Sequence, residues 1–180
     1  MKLVQPFSVE RRFQGDILFD HINLEPVTQL FSFGKISGFV QGTIEDLSIG
    51  RDYPERFRLT LKTQEVAGVP KKINVQAIEN VSLLGTGWGE MGGLRTGINR
   101  WFQEYSYREI GLTCTLAKGR VSLRGTILEE GLEFLVRKSG LTGIDIINRN
   151  PENEIDFSDM LERIRRIQKN KAQGGKNDAK

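Results

Sequence analysis

Residues 110–127, IGLTCTLAKGRVSLRGTI, carry the pattern that decides the predicted fold. Every second position is apolar or small on both sides of the segment AKGR, at Ile110, Leu112, Cys114 and Leu116 and then at Val121, Leu123, Gly125 and Ile127. A period of two sends successive side chains to opposite faces, which is typical of strands with one apolar and one polar face. Gly119 supplies a positive φ for the turn between them. The stretch therefore predicts a β-hairpin.

The same alternation recurs outward from this hairpin. The segments RFRLTLKT (56–63), KINVQAI (72–78) and LEFLV (132–136), together with the looser 35–49, place apolar residues at alternate positions: Phe57, Leu59, Leu61; Ile73, Val75, Ala77; Leu132, Phe134, Val136; Ile36, Val40, Ile44. Half-buried antiparallel strands show this pattern. We predict a mainly β fold, a curved antiparallel sheet that is groove-like or sandwich-like, with two amphipathic helices in an α+β arrangement.

Two segments have helical periodicity instead. The first carries one apolar stripe with offsets of 0, 4, 7, 8 and 11 at Leu94, Ile98, Trp101, Phe102 and Tyr105. The second, 156–167, has a stripe at Met160, Leu161, Ile164 and Ile167, with Asp156 or Ser158 available as its N-cap. We expect one β-rich domain over 1–168, followed by a disordered basic tail over 169–180.

The stretch LGTGWGEMGG (84–93) contains G-x-G-x-x-G at Gly87, Gly89 and Gly92. A dinucleotide site needs a buried parallel strand before this motif and an acid about 20 residues after it. The preceding segment alternates instead, and the following strand belongs to a hairpin, so the glycines are interpreted as a strand-to-helix turn. The backbone at Gly92 and Gly93, with Arg95 beside it, remains a candidate contact for a lipid headgroup.

Charge and residue counts argue against several function classes. The net charge of +3 resides in the tail, and residues 1–168 hold 22 basic and 22 acidic side chains, so we expect no specific nucleic-acid binding. The single cysteine, Cys114, and the single histidine, His21, have no catalytic partner in the pattern. We expect no catalytic residues, no metal site, no cofactor and no enzymatic activity.

The apolar sheet face has two interpretations. A sandwich or barrel would bury it against itself, whereas an open sheet would present it to an apolar ligand. For the second case the candidate groove-lining residues are Phe57, Leu59, Leu61, Ile73, Val75, Leu112, Leu116, Val121, Leu123, Ile127 and Phe134. The aromatic stripe over 94–105 either closes the core or contacts a membrane surface.

A family resemblance supports the open groove. The glycine and Ile/Val alternation of GKISGFVQGTIEDLSIGRDYPERFRLTLKT (34–63) and the ending SGLTGIDIINRNPENEIDFSDMLERIRRI (139–167) resemble the C-terminal regions of AsmA-like bacterial envelope proteins. The similarity covers about residues 15–167. It implies a curved β-sheet groove, related in architecture to TamB and bridge-like lipid transfer proteins, that passes phospholipid acyl chains between inner and outer membranes.

The resemblance also implies a cellular setting and an alternative. It predicts a periplasmic domain that is a C-terminal fragment of a larger chain anchored in the inner membrane, with phospholipid as ligand. It supplies no catalytic residues. The alternative is a structural or assembly module that caps the lipid groove and docks on a partner or membrane through the helix at 94–105.

Overall fold

The computed structural model describes residues 2–4, 12–51, 53–86, 103–141 and 143–174. These contain three helices, α1 (Leu24–Leu30), α2 (Val75–Thr86) and α3 (Phe157–Gly174). The strands in the described ranges are β1 (Lys2–Val4), β2 (Arg12–Asn23), β3 (Ile36–Ser37), β4 (Phe39–Ile49), β5 (Pro54–Gln64), β6 (Lys72–Asn74), β7 (Glu104–Ala117), β8 (Arg120–Gly125), β9 (Ile127–Glu129), β10 (Leu132–Lys138), β11 (Ile146–Ile147) and β12 (Glu154–Asp156).

These strands form one antiparallel sheet, with the order β1-β2-β4-β5-β7-β10-β11 along its main path. The long strand β7 changes partners along its length: residues 104–110 pair with β6 and β10, and residues 111–117 pair with β5 and β8. The predicted fold class is confirmed: the protein is mainly β, a curved open antiparallel sheet with helices in an α+β arrangement.

The hairpin predicted over 110–127 is confirmed as β7–β8. Lys118 and Gly119 both have positive φ, at 52° and 74°, as a two-residue turn of type I′ requires. The register pairs Leu116 with Val121 and Cys114 with Leu123, so their side chains share one face of the sheet.

The apolar face of the sheet is packed in two separate clusters. Cluster 1 gathers α1 and α2 against one end of the sheet, with the buried residues Leu24, Ile36, Val40, Ile73, Ala77, Ile78, Tyr105, Tyr107, Ile110, Leu135, Val136, Ile144 and Ile146. Cluster 2 packs α3 against the other end through Leu116, Val121, Ile155 and Met160. The clusters share no buried residue, so the helices cover the sheet at its two ends.

One predicted strand is a helix in the structure. The alternation through Ile73, Val75 and Ala77 predicts a strand over 72–78, but β6 ends at Asn74 and Val75 begins α2. The Asn74 side chain accepts a hydrogen bond from the Ala77 backbone N–H at 2.9 Å, which is an N-cap. Ala77, Ile78 and Val81 then share the helical stripe that packs in cluster 1. Helix capping and packing outweigh the period-two pattern here.

The predicted helix over 94–105 is wrong at its last member. Tyr105 lies in β7, pairs with Ile73 of β6 and is 7% exposed. Tyr105 and Tyr107 are both buried while Ser106 and Arg108 are less so, which is the period of a strand. Leu94, Ile98, Trp101 and Phe102, like the glycine motif at 87–92, lie outside the described residues.

The second predicted helix is confirmed as α3. The Asp156 carboxylate accepts from the Ser158 backbone N–H at 2.9 Å, so Asp156 is the cap. Met160 is buried, and Ile164 packs against cluster 2. The helix continues to Gly174, and thus residues 169–174 are helical where the composition predicts a disordered tail.

Candidate functional site

The predicted groove-lining residues divide into two groups by burial. Ile73, Leu116, Val121, Ile127 and Phe134 are at most 9% exposed and lie in the interior of the domain. Phe57, Leu59, Leu61, Val75, Leu112 and Leu123 are half-buried. The second group retains surface that a ligand could contact, although Val75 belongs to α2 rather than to the sheet.

Strand register brings some of these residues into a continuous row across the sheet. Five residues on five adjacent strands are direct cross-strand partners, from β2 through β4, β5 and β7 to β8: Ile17, Ile44, Leu59, Cys114 and Leu123. Partners directly opposite each other in antiparallel strands lie on the same face. We call this row the apolar strip.

The apolar strip runs between the two core clusters. The neighbouring row on one side contains Phe19, Leu61 and Leu112, which pack against cluster 1. On the other side Phe57 packs against cluster 2. Ile17, Ile44 and Leu59 belong to neither cluster among the described residues, and Ile17 is 40% exposed. The middle of the sheet face therefore keeps apolar surface that neither α2 nor α3 covers.

Sequence reasoning missed Ile17 and Ile44 as site residues. The segment FQGDILF (13–19) does alternate, with Phe13, Ile17 and Phe19 on one face. The alternation breaks at His21, which has a positive φ of 55° where the register between β2 and β4 shifts. This β-bulge hides the strand from a search for long period-two runs.

The opposite face of the same strands is polar. Leu18 pairs with Thr43, which pairs with Thr60, and the Thr60 and Thr113 hydroxyl oxygens lie 3.5 Å apart. Leu18 is 80% exposed on this face. Ile17 and Leu18 are thus adjacent on one strand but present side chains to opposite surfaces.

Cys114 gives the strip a chemical reporter. Burial raises the pKa of its thiol from the ordinary value of 9.0 to about 11, because the low-dielectric surroundings disfavour the thiolate. Cys114 is the only cysteine in the chain, so thiol chemistry reports on the strip alone.

We expect alkylation of Cys114 by iodoacetamide at pH 8 to be about 100-fold slower in the folded protein than in urea, because only the thiolate reacts. The rate in the folded protein should rise about tenfold per pH unit up to about pH 11. Mass spectrometry of quenched samples measures both rates. Equal rates in the folded and unfolded protein would show that the strip is fully open to water at β7.

Glu129 and Asp145 are engaged in ion pairs with arginine side chains. The Glu129 carboxylate contacts Arg137 and Arg108, each with a shortest distance of 2.6 Å, and these hydrogen bonds lower its pKa, with Arg137 the larger cause. Arg137 also binds Asp145 at 2.7 Å. His21 is exposed and lies 3.5 Å from Asp20. Each of these groups has a structural partner that accounts for its position.

The remaining predicted contacts lie outside the described residues. Gly92, Gly93 and Arg95, the candidate headgroup contacts, and Leu94, Ile98, Trp101 and Phe102 of the predicted capping helix all fall between 87 and 102. Tyr105, the last member of that set, is buried in β7. The candidate site that the structure assembles is therefore the apolar strip.

Within the described ranges, the helices are all too short or too polar to cross a membrane. Comparison of the chain with protein-family models, with curated proteins and with solved structures gives no match.

Proposed function

We propose that this protein is a non-enzymatic lipid-binding domain whose apolar strip contacts the acyl chain of a phospholipid. The observation that carries the proposal is the row between clusters 1 and 2, where Ile17, Ile44 and Leu59 belong to neither cluster among the described residues. Apolar surface left open in the middle of a sheet face marks a binding site for an apolar partner.

The chemistry of the strip suits an alkyl chain. None of its five members carries a charge at neutral pH. Four are aliphatic side chains and the fifth is the thiol of Cys114. Burial of an acyl chain contributes about 0.8 kcal/mol per methylene group. Affinity then comes from the apolar area that the acyl chain buries, and no charged pocket is needed.

The resemblance to AsmA-like proteins supplies the proposed setting. On that basis the domain transfers phospholipid between the inner and outer membranes of a bacterial envelope, as a periplasmic part of a larger chain anchored in the inner membrane. The apolar strip would continue the lipid path of that chain. The site supports lipid contact, and the resemblance alone supports the location and the larger partner chain.

A matched pair of variants on one strand tests the proposal. We expect the wild type and Leu18→Glu to retain phospholipid after incubation with phosphatidylethanolamine vesicles and re-isolation, measured by lipid mass spectrometry. Ile17→Glu should retain at least about tenfold less, because a carboxylate on the strip loses hydration without gaining a partner. Both positions are exposed, so neither substitution removes a core side chain.

The two variants place the same charge on neighbouring residues of one strand, on opposite faces of the sheet. Circular dichroism and urea unfolding should show that both remain folded. Equal phospholipid retention by all three proteins, or retention by none of them, would contradict lipid binding at the strip.

An assembly role is the second candidate, and the outer edge of β2 supports it. Beyond Gln14, no strand among the described residues pairs with this edge, and residues 15–23 contain neither lysine nor proline, which commonly protect open edges. This role predicts a stable oligomer by light scattering that Leu18→Glu and Ile17→Glu both weaken. A monomer that binds phospholipid through Ile17 alone would favour the lipid role.

A further inference from the structure

The apolar strip has a defined length, and this length limits the ligand that it can hold. The five residues lie on five adjacent strands, so the row crosses four inter-strand spacings. At about 4.8 Å for each spacing, the row is about 19 Å long. An extended hydrocarbon advances about 1.3 Å per carbon, since its C–C bonds are about 1.5 Å long. The strip therefore matches about 15 carbons.

The width of the strip decides the kind of occupant. Rows on one face of a sheet are two residues apart along each strand, or about 6.8 Å. The row beyond the strip on one side, through Leu61 and Leu112, packs in cluster 1, and Phe57 on the other side packs in cluster 2. The part of the face that packs in neither cluster is therefore one row wide, and the rows beside it are half-buried. An α-helix with its side chains needs about 10–12 Å, whereas one alkyl chain in van der Waals contact needs about 4 Å.

The two ends of the strip differ. Ile17 is 40% exposed and lies on β2 beyond the residues that pair with β1, where no other described strand pairs with this edge. At the other end, Cys114 packs against cluster 2 and Leu123 against cluster 1, so the strip narrows between the two clusters as it reaches β8. A ligand therefore has free access at β2 and restricted space at β8.

We propose that the apolar strip takes one alkyl chain at a time, extended across the strands from β2 to β8, and that it selects single saturated chains of about 15 carbons. This inference rests on the proposed lipid-binding function and adds to it the number, direction and length of the chains bound. A diacyl phospholipid then places one of its two chains on the strip and leaves the other outside it.

The experiment uses lysophosphatidylethanolamines with acyl chains of 8 to 20 carbons, each kept below the concentration at which it forms micelles. Competition with a fluorescent fatty acid gives the dissociation constants, and native mass spectrometry gives the number bound. We expect the dissociation constant to fall about fourfold for each added methylene up to about 15 carbons and then to level off, with one ligand per chain. Bound ligand should also slow alkylation of Cys114.

The variant Ile17→Glu makes the test more specific because it removes the apolar side chain that β2 contributes to the row. For this variant we expect the dissociation constant to level off at a chain length about four carbons shorter, which corresponds to one inter-strand spacing. Leu18→Glu, on the opposite face of the same strand, should keep the wild-type plateau. Unfolding curves of both variants establish that the sheet is intact.

The outcomes separate this inference from the proposed function. A plateau that Ile17→Glu leaves unchanged, two ligands per protein, or affinity still increasing at 20 carbons would overturn the inference while lipid binding itself stands. Absence of binding at every chain length would overturn both, and it would indicate that another part of the chain covers the strip.

Discussion

Gly42→Ala is expected to destabilise the domain by about 3 kcal/mol, which is a large effect for one added methyl group. Gly42 lies in β4, between Phe19 of β2 and Leu61 of β5. A Cβ atom at this position would overlap the Thr60 carbonyl oxygen of β5 and would lie 2.7 Å from Cζ of Phe19. The carbonyl belongs to the backbone of the neighbouring strand, so it cannot move away without disturbing the β4–β5 ladder.

The same glycine supports the candidate site. Gly42 is in the row next to the apolar strip, and Ile44, two residues along β4, is a member of the strip. A shift of β4 away from β5 would separate Ile44 from Leu59 in the middle of the row. We therefore expect Gly42→Ala to weaken lipid retention as well as stability.

Urea unfolding followed by circular dichroism measures the loss of stability, and Gly68→Ala is the matched control. Gly68 has a positive φ of 77° with no atom within 4 Å of its added Cβ, so alanine there meets only backbone strain, about 1 kcal/mol. Equal destabilisation by the two substitutions would show that the close approach of β4 and β5 is not a constraint.

The sequence predicted most accurately what depends on neighbouring residues. The β7–β8 hairpin follows from alternation on both sides of Lys118 and Gly119, and the start of α3 follows from Asp156 and the stripe after it. In both cases the interactions that form the element lie within a few residues of each other. Local chemistry alone was sufficient to predict them.

The errors occurred where contacts distant in sequence determine the structure. Val75 alternates with Ile73 as a strand residue would, yet Asn74 caps a helix there, and its side chain also accepts from the Lys35 backbone N–H at 3.0 Å. Tyr105 fits a helical stripe, yet β6 and β10 lie on either side of β7 in that region. These partners lie 30 or more residues away in several cases, so local periodicity did not report them.

The apolar strip was only partly predictable for the same reason. Leu59 and Leu123 were predicted as lining residues from their own alternation, whereas the row that joins them to Ile17 exists only through the register of five strands. Which members stay uncovered depends on the placement of α2 and α3 on the sheet. Burial of predicted members such as Leu116 and Val121 follows from α3, which packs on their end of the face.

Asn148→Ala is the second substitution for which we expect a large effect, a loss of about 2–4 kcal/mol in the free energy of unfolding. Asn148 is 3% exposed, and its side-chain amide donates to the Leu123 carbonyl oxygen at 2.9 Å and to the Glu133 carboxylate at 2.7 Å. Alanine would leave both acceptors without this donor in a buried environment. Leu123 is the last member of the apolar strip, so the hydrogen bond from Asn148 to its carbonyl oxygen also holds the β8 end of the strip in place.

Asn148→Asp separates the loss of the hydrogen bonds from the loss of packing volume. Aspartate keeps the size of asparagine but replaces the donor with a second carboxylate beside Glu133, which is 10% exposed and accepts from the Gly125 backbone N–H at 2.6 Å. We expect Asn148→Asp to be less stable than Asn148→Ala at pH 7, because two carboxylates repel each other in a poorly solvated site. The difference should shrink between pH 7 and pH 4, because protonation of one carboxyl removes the repulsion and restores a donor. Urea unfolding at both pH values measures the difference in stability between the two variants. The exposed Asn150→Ala is the control, and we expect it to change stability by no more than about 0.5 kcal/mol. If Asn148→Asp were as stable as wild type at pH 7, Asn148 would not be acting as a donor to Leu123 and Glu133.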